Sequence, residues 1–261
     1  MSAREDVAFL VGSQSREAIL RALAVEPRRP TALAEHCDCA RETAQRTLAG
    51  FCDRGWAKKR SDGLYHLTPG GTMVHERYER FIETVECADR MSEFLANAAD
   101  ICENAPPGVL GQMNITTAAD NDPHAPLNRY LTIVGSEPVD RFRGVTPIVS
   151  RVFNESAEAV LGEDTRMELI VDRGVLERSM DAYPDSFERA RDLDQFELRV
   201  TEENLDFGLL VVDGHGLVSA YDEHNNLTAL VDGDASEVVS WVENLYESVR
   251  SKSVPIDRLE P

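Results

Sequence analysis

Two stretches of the chain carry side chains whose types and spacing suit recognition or catalysis. Arg41, Thr43, Gln45 and Arg46 lie close together, and Lys58, Lys59 and Arg60 follow within twenty residues. Guanidinium forks match guanine O6 and N7, a Gln amide matches adenine N6 and N7, and Thr reaches a phosphate oxygen or a thymine methyl. The set therefore suits base edges and phosphates, although an ordinary solvated helix face carries the same charges. The second stretch is His36-Cys37-Asp38-Cys39. Two thiols and one imidazole fall short of the four spaced ligands of a zinc site, and Cys37, Cys39, Cys52, Cys87 and Cys102 are odd in number with no CxxC pair. No metal, cofactor or disulfide framework is expected. A thiol switch at Cys37 and Cys39 lacks a resolving partner visible in the sequence. Gly12, Gly208, Gly214 and Gly216 build no phosphate loop, because neither GxxxxGK[ST] nor a strand-GxGxxG-helix unit occurs.

The elements that must hold these side chains belong to a chain of 261 residues, 42% hydrophobic and 28% charged, long enough for one enzyme-sized domain or two smaller ones. Its net charge of −20 argues against a whole surface that binds DNA or coats an anionic membrane. The acidity is uneven. Of 27 basic residues 11 lie within the first 75 positions, against only 9 of the 47 acidic ones. Residues 41–60 are more basic still, with Arg41, Arg46, Arg54, Lys58, Lys59 and Arg60 facing only Glu42 and Asp53. A small cationic surface on an anionic body is the footprint of a nucleic-acid-binding module carried by another domain. The acidity, with Arg far outnumbering Lys, points to a high-salt cytoplasm. No run of about 18 apolar residues occurs, and Met1-Ser2-Ala3-Arg4-Glu5-Asp6 lacks the apolar core of a signal peptide, so a cytoplasmic protein without a membrane partner is expected.

Ser15 precedes a helix carrying Ile19, Leu20 and Leu23, ended by Pro27 and Pro30; Thr31 caps a short second helix through His36. A third runs from about Ala40 to Arg54, with Ala44, Thr47, Leu48 and Phe51 inward and Arg41, Thr43, Gln45 and Arg46 outward. Trp56 to Arg60 and Leu64 to Leu67 are strands joined through the turn Ser61-Asp62-Gly63. The tract from Arg16 to Gly71 thereby resembles the winged helix-turn-helix regulators of archaea and bacteria. The resemblance implies that the third helix enters the major groove while Lys58, Lys59 and Arg60 grip phosphates beside it. A helix from about Gly71 to Ala99 follows, with Tyr78, Phe81, Val85 and Leu95 on its apolar face. It is expected to pack against its copy in a homodimer, since winged-helix dimers read two half-sites. The alternative is a connector packed on its own C-terminal domain.

Residues 105–126 read as a linker or irregular entry, after which strands and helices alternate in an α/β domain. Strands are expected at Arg129–Val134, 165–171, 196–200, 207–212, 217–221 and 227–231, with 145–154 ambiguous. A helix over 174–191, interrupted at Pro184, and a closing helix from Ala235 to Ser251 complete the set. His215 and Asp222 stand at the offsets of the H-x-K-x4-D motif of phospholipase D-like enzymes, but Leu217 replaces the Lys that would stabilise phosphate charge. The domain order nonetheless resembles archaeal, notably haloarchaeal, regulators of the TrmB-like and methanogenesis-regulator type. That resemblance implies a non-catalytic effector domain with a degenerate phospholipase D-like fold. The expectation is an α/β multidomain chain: a winged helix-turn-helix over 1–70, a helical connector over 71–104, the entry over 105–126 and an acidic effector domain over 127–261. Double-stranded DNA and a second copy are the expected partners. Arg141, Arg143, Asp213, His215, Tyr221 and His224 are the candidates for holding a small-molecule effector. A phosphodiesterase-like enzyme with a regulatory winged helix, or a protein-interaction adaptor, are the rival readings.

Overall fold

The computed structural model describes residues 2–258; Met1 and residues 259–261, the outermost positions of the first and last expected domains, lie outside the described residues. The chain divides into two compact units, Met1–Val85 and Glu86–Pro261. Among the described residues no helix is long and apolar enough to cross a membrane.

The first unit opens with α1 (Ala3–Val11), which the sequence reading missed because Leu10 is its one fully buried side chain. Ser2 and Glu5 close a reciprocal capping box at its start. Then come α2 (Gln14–Val25), α3 (Pro30–His36) and α4 (Arg41–Asp53). The cap of α2 is Ser13 rather than Ser15, and α3 begins after Arg29 with Pro30 in its first turn, so Thr31 lies inside the helix. Strands β1 (Ala57–Lys59) and β2 (Tyr65–Leu67) pair antiparallel, with Lys58 opposite His66 and Lys59 opposite Tyr65. Helix α5 (Pro69–Arg90) starts in this unit. Ile19, Leu20, Leu33, Leu48 and Phe51 form the core of the unit, and Tyr78 of α5 joins them.

The expected helix over 71–99 is broken. It ends at Arg90, and α6 (Ser92–Asn97) and α7 (Ala99–Cys102) follow. Met91 and Phe94 are almost fully buried in the second unit's core, and the turn at Met91 carries them there. The stretch read as an irregular entry contains β3 (Asn114–Thr117), paired antiparallel with a later strand. Residues 129–134, expected as a strand, lie in α8 (Ala125–Val134). Pro126 begins that helix, Tyr130 and Val134 form its buried stripe, and Gly135 ends it at φ +74°. The alternating look of this segment misled because both periods fit six residues.

The remaining elements are β4 (Arg141–Val145), α9 (Arg151–Ala159), β5 (Arg166–Asp172), α10 (Arg173–Ala182), α11 (Pro184–Arg191), β6 (Phe196–Thr201), β7 (Phe207–Val212), β8 (His215–Tyr221), β9 (Leu227–Gly233), α12 (Ser236–Ser251) and β10 (Ser253–Pro255). They build one eight-stranded sheet ordered β10-β6-β5-β4-β7-β8-β9-β3. Only β4, β5 and β6 run parallel to one another, as α9 and the α10–α11 pair allow. One sheet face, with Val145, Ile170, Val211 and Val218, packs on Trp241, Val242 and Tyr246 of α12. The other, with Phe142, Met167, Leu210 and Leu217, packs on α8 and α9. The result is a three-layer α/β unit.

Candidate nucleic-acid interface

Helix α4 buries Ala44, Thr47, Leu48 and Phe51 and leaves Arg41, Gln45 and Arg46 exposed and Thr43 half-buried. The spacing is that of an amphipathic helix, so packing of the inner stripe fixes the direction of the outer residues. Two contacts of the Phe9 ring hold the helix from behind. Phe9 of α1 meets Phe51 edge-on at 6.1 Å, and its ring reaches Gly50, where a Cβ would overlap it. Arg54 is not part of the cationic surface. Its Nε lies 2.9 Å from Asp6, and its guanidinium stacks 3.7 Å from the centre of the Phe9 ring.

Gly55, at φ +71°, turns the chain out of α4 into β1. Lys58, Lys59 and Arg60 are exposed on the hairpin, which closes through Gly63 at φ +84° while Asp62 accepts a hydrogen bond from the Leu64 amide at 3.1 Å. The hairpin has a third edge that sequence reasoning missed. Arg28 and Tyr65 exchange backbone hydrogen bonds of 3.0 and 2.8 Å, tying the segment before α3 to β2. A single residue bridging to a strand leaves no hydrophobic period to detect. Arg29 adds a hydrogen bond to the Asp62 carbonyl at 3.0 Å.

Among the described residues, Arg41, Arg46, Lys58 and Lys59 make no ion pair, whereas Arg60 lies 3.3 Å from Asp62. Four uncompensated cations thus stand on α4 and the hairpin in a strongly acidic chain, with no carboxylate to displace before a phosphate can approach. Cys37 and Cys39 pack against the first core, Asp38 takes the turn between them at φ +46°, and burial pushes the Cys37 thiol up.

The residues expected to mediate dimerisation separate. Tyr78 is buried in the first unit's own core, where burial and a hydrogen bond with Glu17 push its phenol up to about 12. Leu95 packs against the core of the second unit. Tyr78 is thus engaged within its own unit and Leu95 is half-buried, whereas Phe81 and Val85 remain exposed, at 61% and 49%.

The six expected effector residues do not form one site: Asp213 and His215 line one open cavity together with Arg129, but neighbours along a strand face opposite ways and the set spans both ends of the sheet. Arg141 is exposed, and its backbone, with that of Asp140, donates to the Asp213 carboxylate. Arg143 is buried against α12, paired with Glu243 and with Glu247 at 3.6 Å. Tyr221 points to the other face, and His224 lies exposed on a turn. His215 Nε2 stands 2.9 Å from Asp232, a fully buried carboxylate that also receives Arg129 in two hydrogen bonds of 2.9 and 2.6 Å. Burial alone would push Asp232 up, but the hydrogen bonds from Arg129 and His215 hold it below its ordinary value. Neither Arg129 nor Asp232 was singled out from sequence, since the pair is 103 residues apart.

The phospholipase D-like reading is corrected on the same geometry. His215 and Asp222 flank the two ends of β8, roughly 20 Å apart at the rise of a strand. Asp222 caps its own turn through the His224 and Asn226 amides at 2.9 and 2.8 Å, and Leu217 is core. No phosphoryl group reaches both.

Comparison with known proteins finds two segments of the chain similar to family models. Residues 4–90 match the family described as the HVO_A0261 N-terminal domain, and residues 123–252 match the middle domain of the methanogenesis regulatory protein FilR1. No curated protein matches the chain. Among solved structures, TrmBL2, an archaeal chromatin protein with a novel mode of DNA binding, aligns at 14% identity and a TM-score of 0.44 over 93% of this chain and 94% of its own. Quinone-bound YodB from B. subtilis aligns at 17% identity and a TM-score of 0.29, over 32% of this chain and 94% of its own. The transcriptional regulator Tm0710 from Thermotoga maritima aligns at 21% identity and a TM-score of 0.25, over 38% and 82% respectively.

Proposed function

We infer that this chain, which belongs over residues 4–90 to the HVO_A0261 N-terminal domain family and over residues 123–252 to the FilR1 middle-domain family of archaeal regulators, is a DNA-binding transcription regulator that reads sequence through α4. The observation that carries this reading is the group of exposed, unpaired cations Arg41, Arg46, Lys58 and Lys59 on a helix and hairpin whose positions the core fixes. In this reading α4 lies in the major groove, with Gln45 and Arg46 facing base edges and Thr43 a phosphate or a methyl group. Arg41, Lys58, Lys59 and Arg60 lie along the phosphates and set register without reading sequence. Arg60 first gives up its exposed pairing with Asp62, a small cost for a surface ion pair.

A second copy supplies a second half-site. Phe81 and Val85, one helical turn apart on α5, are the exposed apolar pair around which that copy packs. The C-terminal unit carries no catalytic role in this account. It biases the placement of the two DNA-binding units by favouring one state when an effector is bound.

The test is a binding titration of the full chain against a selected operator and against scrambled duplex, over a range of salt. Arg46→Ala is expected to lose roughly 1–3 kcal/mol on the operator and little on scrambled duplex. Lys58→Ala or Lys59→Ala should weaken both duplexes alike and lower the salt slope by about one. Equal, sequence-independent losses in all three variants would refute the assignment of α4 as the reading element.

A further inference from the structure

The sheet face that packs on α8 and α9 is filled by large side chains at Phe142, Met167, Leu210 and Leu217, but its middle is paved with small residues. Gly144 on β4, Gly208 on β7 and Ser219 on β8 lie there, with Gly144 opposite Leu210 and Gly208 opposite Ser219 in the strand register. A cavity of about 150 Å³ lies beside these small residues, between the sheet, α9 and the α10–α11 pair. The lining is predominantly apolar and aromatic, with Phe153 on one wall and Tyr183 and Phe187 on the other. This is about the volume that takes a single benzene ring in an apolar protein interior.

The cavity is not uniformly apolar. The Tyr221 phenol, from a residue only 7% exposed, lines it beside the hydroxyls of Ser219 and Thr146. Burial raises the Tyr221 phenol far above its ordinary value, so it stays a neutral hydroxyl. The charged residues of the lining, Glu158 and Arg191, are exposed and stand at the rim, where Glu158 pairs with Arg189 at 3.0 Å. A charged ligand would leave its hydration without a counter-charge inside, which is unfavourable by several kcal/mol. A neutral ring fills the apolar walls, and one polar substituent on it answers the buried hydroxyls.

We propose that this cavity binds one small uncharged aromatic molecule bearing a single hydrogen-bonding group, of the phenol or indole class, held by the apolar walls and oriented by Tyr221, Ser219 and Thr146. The inference rests on the reading of the second unit as an effector domain, but its test contains no DNA, so failure of ligand binding and failure of operator binding are separate results.

The experiment titrates phenol, indole and toluene into the full-length protein at high salt, read by calorimetry and by the rise in melting midpoint with ligand concentration. Ala157→Leu on α9 and Ala190→Leu on α11 fill the cavity from opposite walls, and Tyr221→Phe removes the phenol. Each variant's ligand-free melting curve and circular dichroism show whether it has folded. Saturable binding of phenol or indole to the wild type is expected, weakened at least tenfold in both filling variants. Tyr221→Phe should weaken phenol several-fold and leave toluene unchanged. No saturable binding of any of the three to the wild type overturns the proposal, as does undiminished binding in both folded filling variants.

Discussion

Replacing Gly71 by Ala sets two magnitudes against each other within the first turn of α5. A Cβ there would overlap the Trp56 carbonyl oxygen and lie 2.8 Å from its carbonyl carbon. The carbonyl is not free to retreat, because it accepts the Thr68 amide at 2.9 Å, and Thr68 Oγ1 in turn accepts the Gly71 amide at 3.1 Å. Alanine gains at most about 1 kcal/mol of helix propensity and unfolded-chain entropy over glycine. Overpacking against a fixed backbone costs about 1–3 kcal/mol, and loosening the Thr68 hydrogen bonds adds about 1 kcal/mol more. The clash wins, and a net loss of about 2 kcal/mol is expected. Gly70→Ala is the internal control. Its Cβ meets nothing nearer than Thr68 Oγ1 at 3.6 Å, so a gain of a few tenths to about 1 kcal/mol is expected. Because the chain has two units, the assay is hydrogen exchange of the α2 and α4 amides, which reports the first unit alone. The Gly71 variant should exchange about thirtyfold faster in those helices, and the Gly70 variant no faster than the wild type. Equal protection in the two variants would refute the argument that no Cβ fits at Gly71 against the Trp56 carbonyl.

Three further outcomes follow from the same contacts. Removing the Arg129 side chain by Arg129→Ala leaves the fully buried Asp232 with His215 alone and is expected to cost about 2–3 kcal/mol, measured by urea unfolding at neutral pH. Asp232 is held below its ordinary value when folded, so its contribution is present above that value and disappears as pH falls through the depressed one; the variant's acid-unfolding midpoint should lie at higher pH than the wild type's. The exposed pair Phe81 and Val85, changed together to Asp, should convert a dimer to a monomer in light scattering while leaving the melting of both units unchanged, and a dimer that persists would remove α5 from the interface.

The sequence made the first unit legible almost throughout, and the reason is locality. The stripe Ala44, Thr47, Leu48 and Phe51 and the turn Ser61-Asp62-Gly63 each act within a few residues, so period and turn chemistry are enough to place α4 and the hairpin. α1 escaped because a helix with one fully buried side chain shows no stripe. The single-residue bridge from Arg28 to Tyr65 is equally silent, since only the fold brings the two together. In the second unit the errors are those of short segments. Six residues of α8 fit an alternating pattern as well as a helical one, and β3 and β4 are too short to declare themselves within turn-rich surroundings. The grouping of the expected effector residues was hidden for a different reason. Polar side chains were chosen one by one, whereas the cavity that Tyr221 lines takes in Gly144 and Gly208 as well, and these neighbours become visible only when strand register sets them on one face. The buried Asp232 with Arg129 and His215 shows the same limit, being a cluster of three ordinary residues made special by pairing across the sheet and α8.

The account stands on α4 and the hairpin as a DNA-reading surface, and chromosomal occupancy in the native host tests this most directly. The tagged wild type would be mapped beside a variant carrying Arg46→Glu, Lys58→Glu and Lys59→Glu, three exposed positions at which reversal leaves the core untouched. The account predicts sharp promoter peaks for the wild type that vanish in the variant at equal protein level; peaks that persist in the variant, or a wild type without peaks across growth conditions, would contradict it.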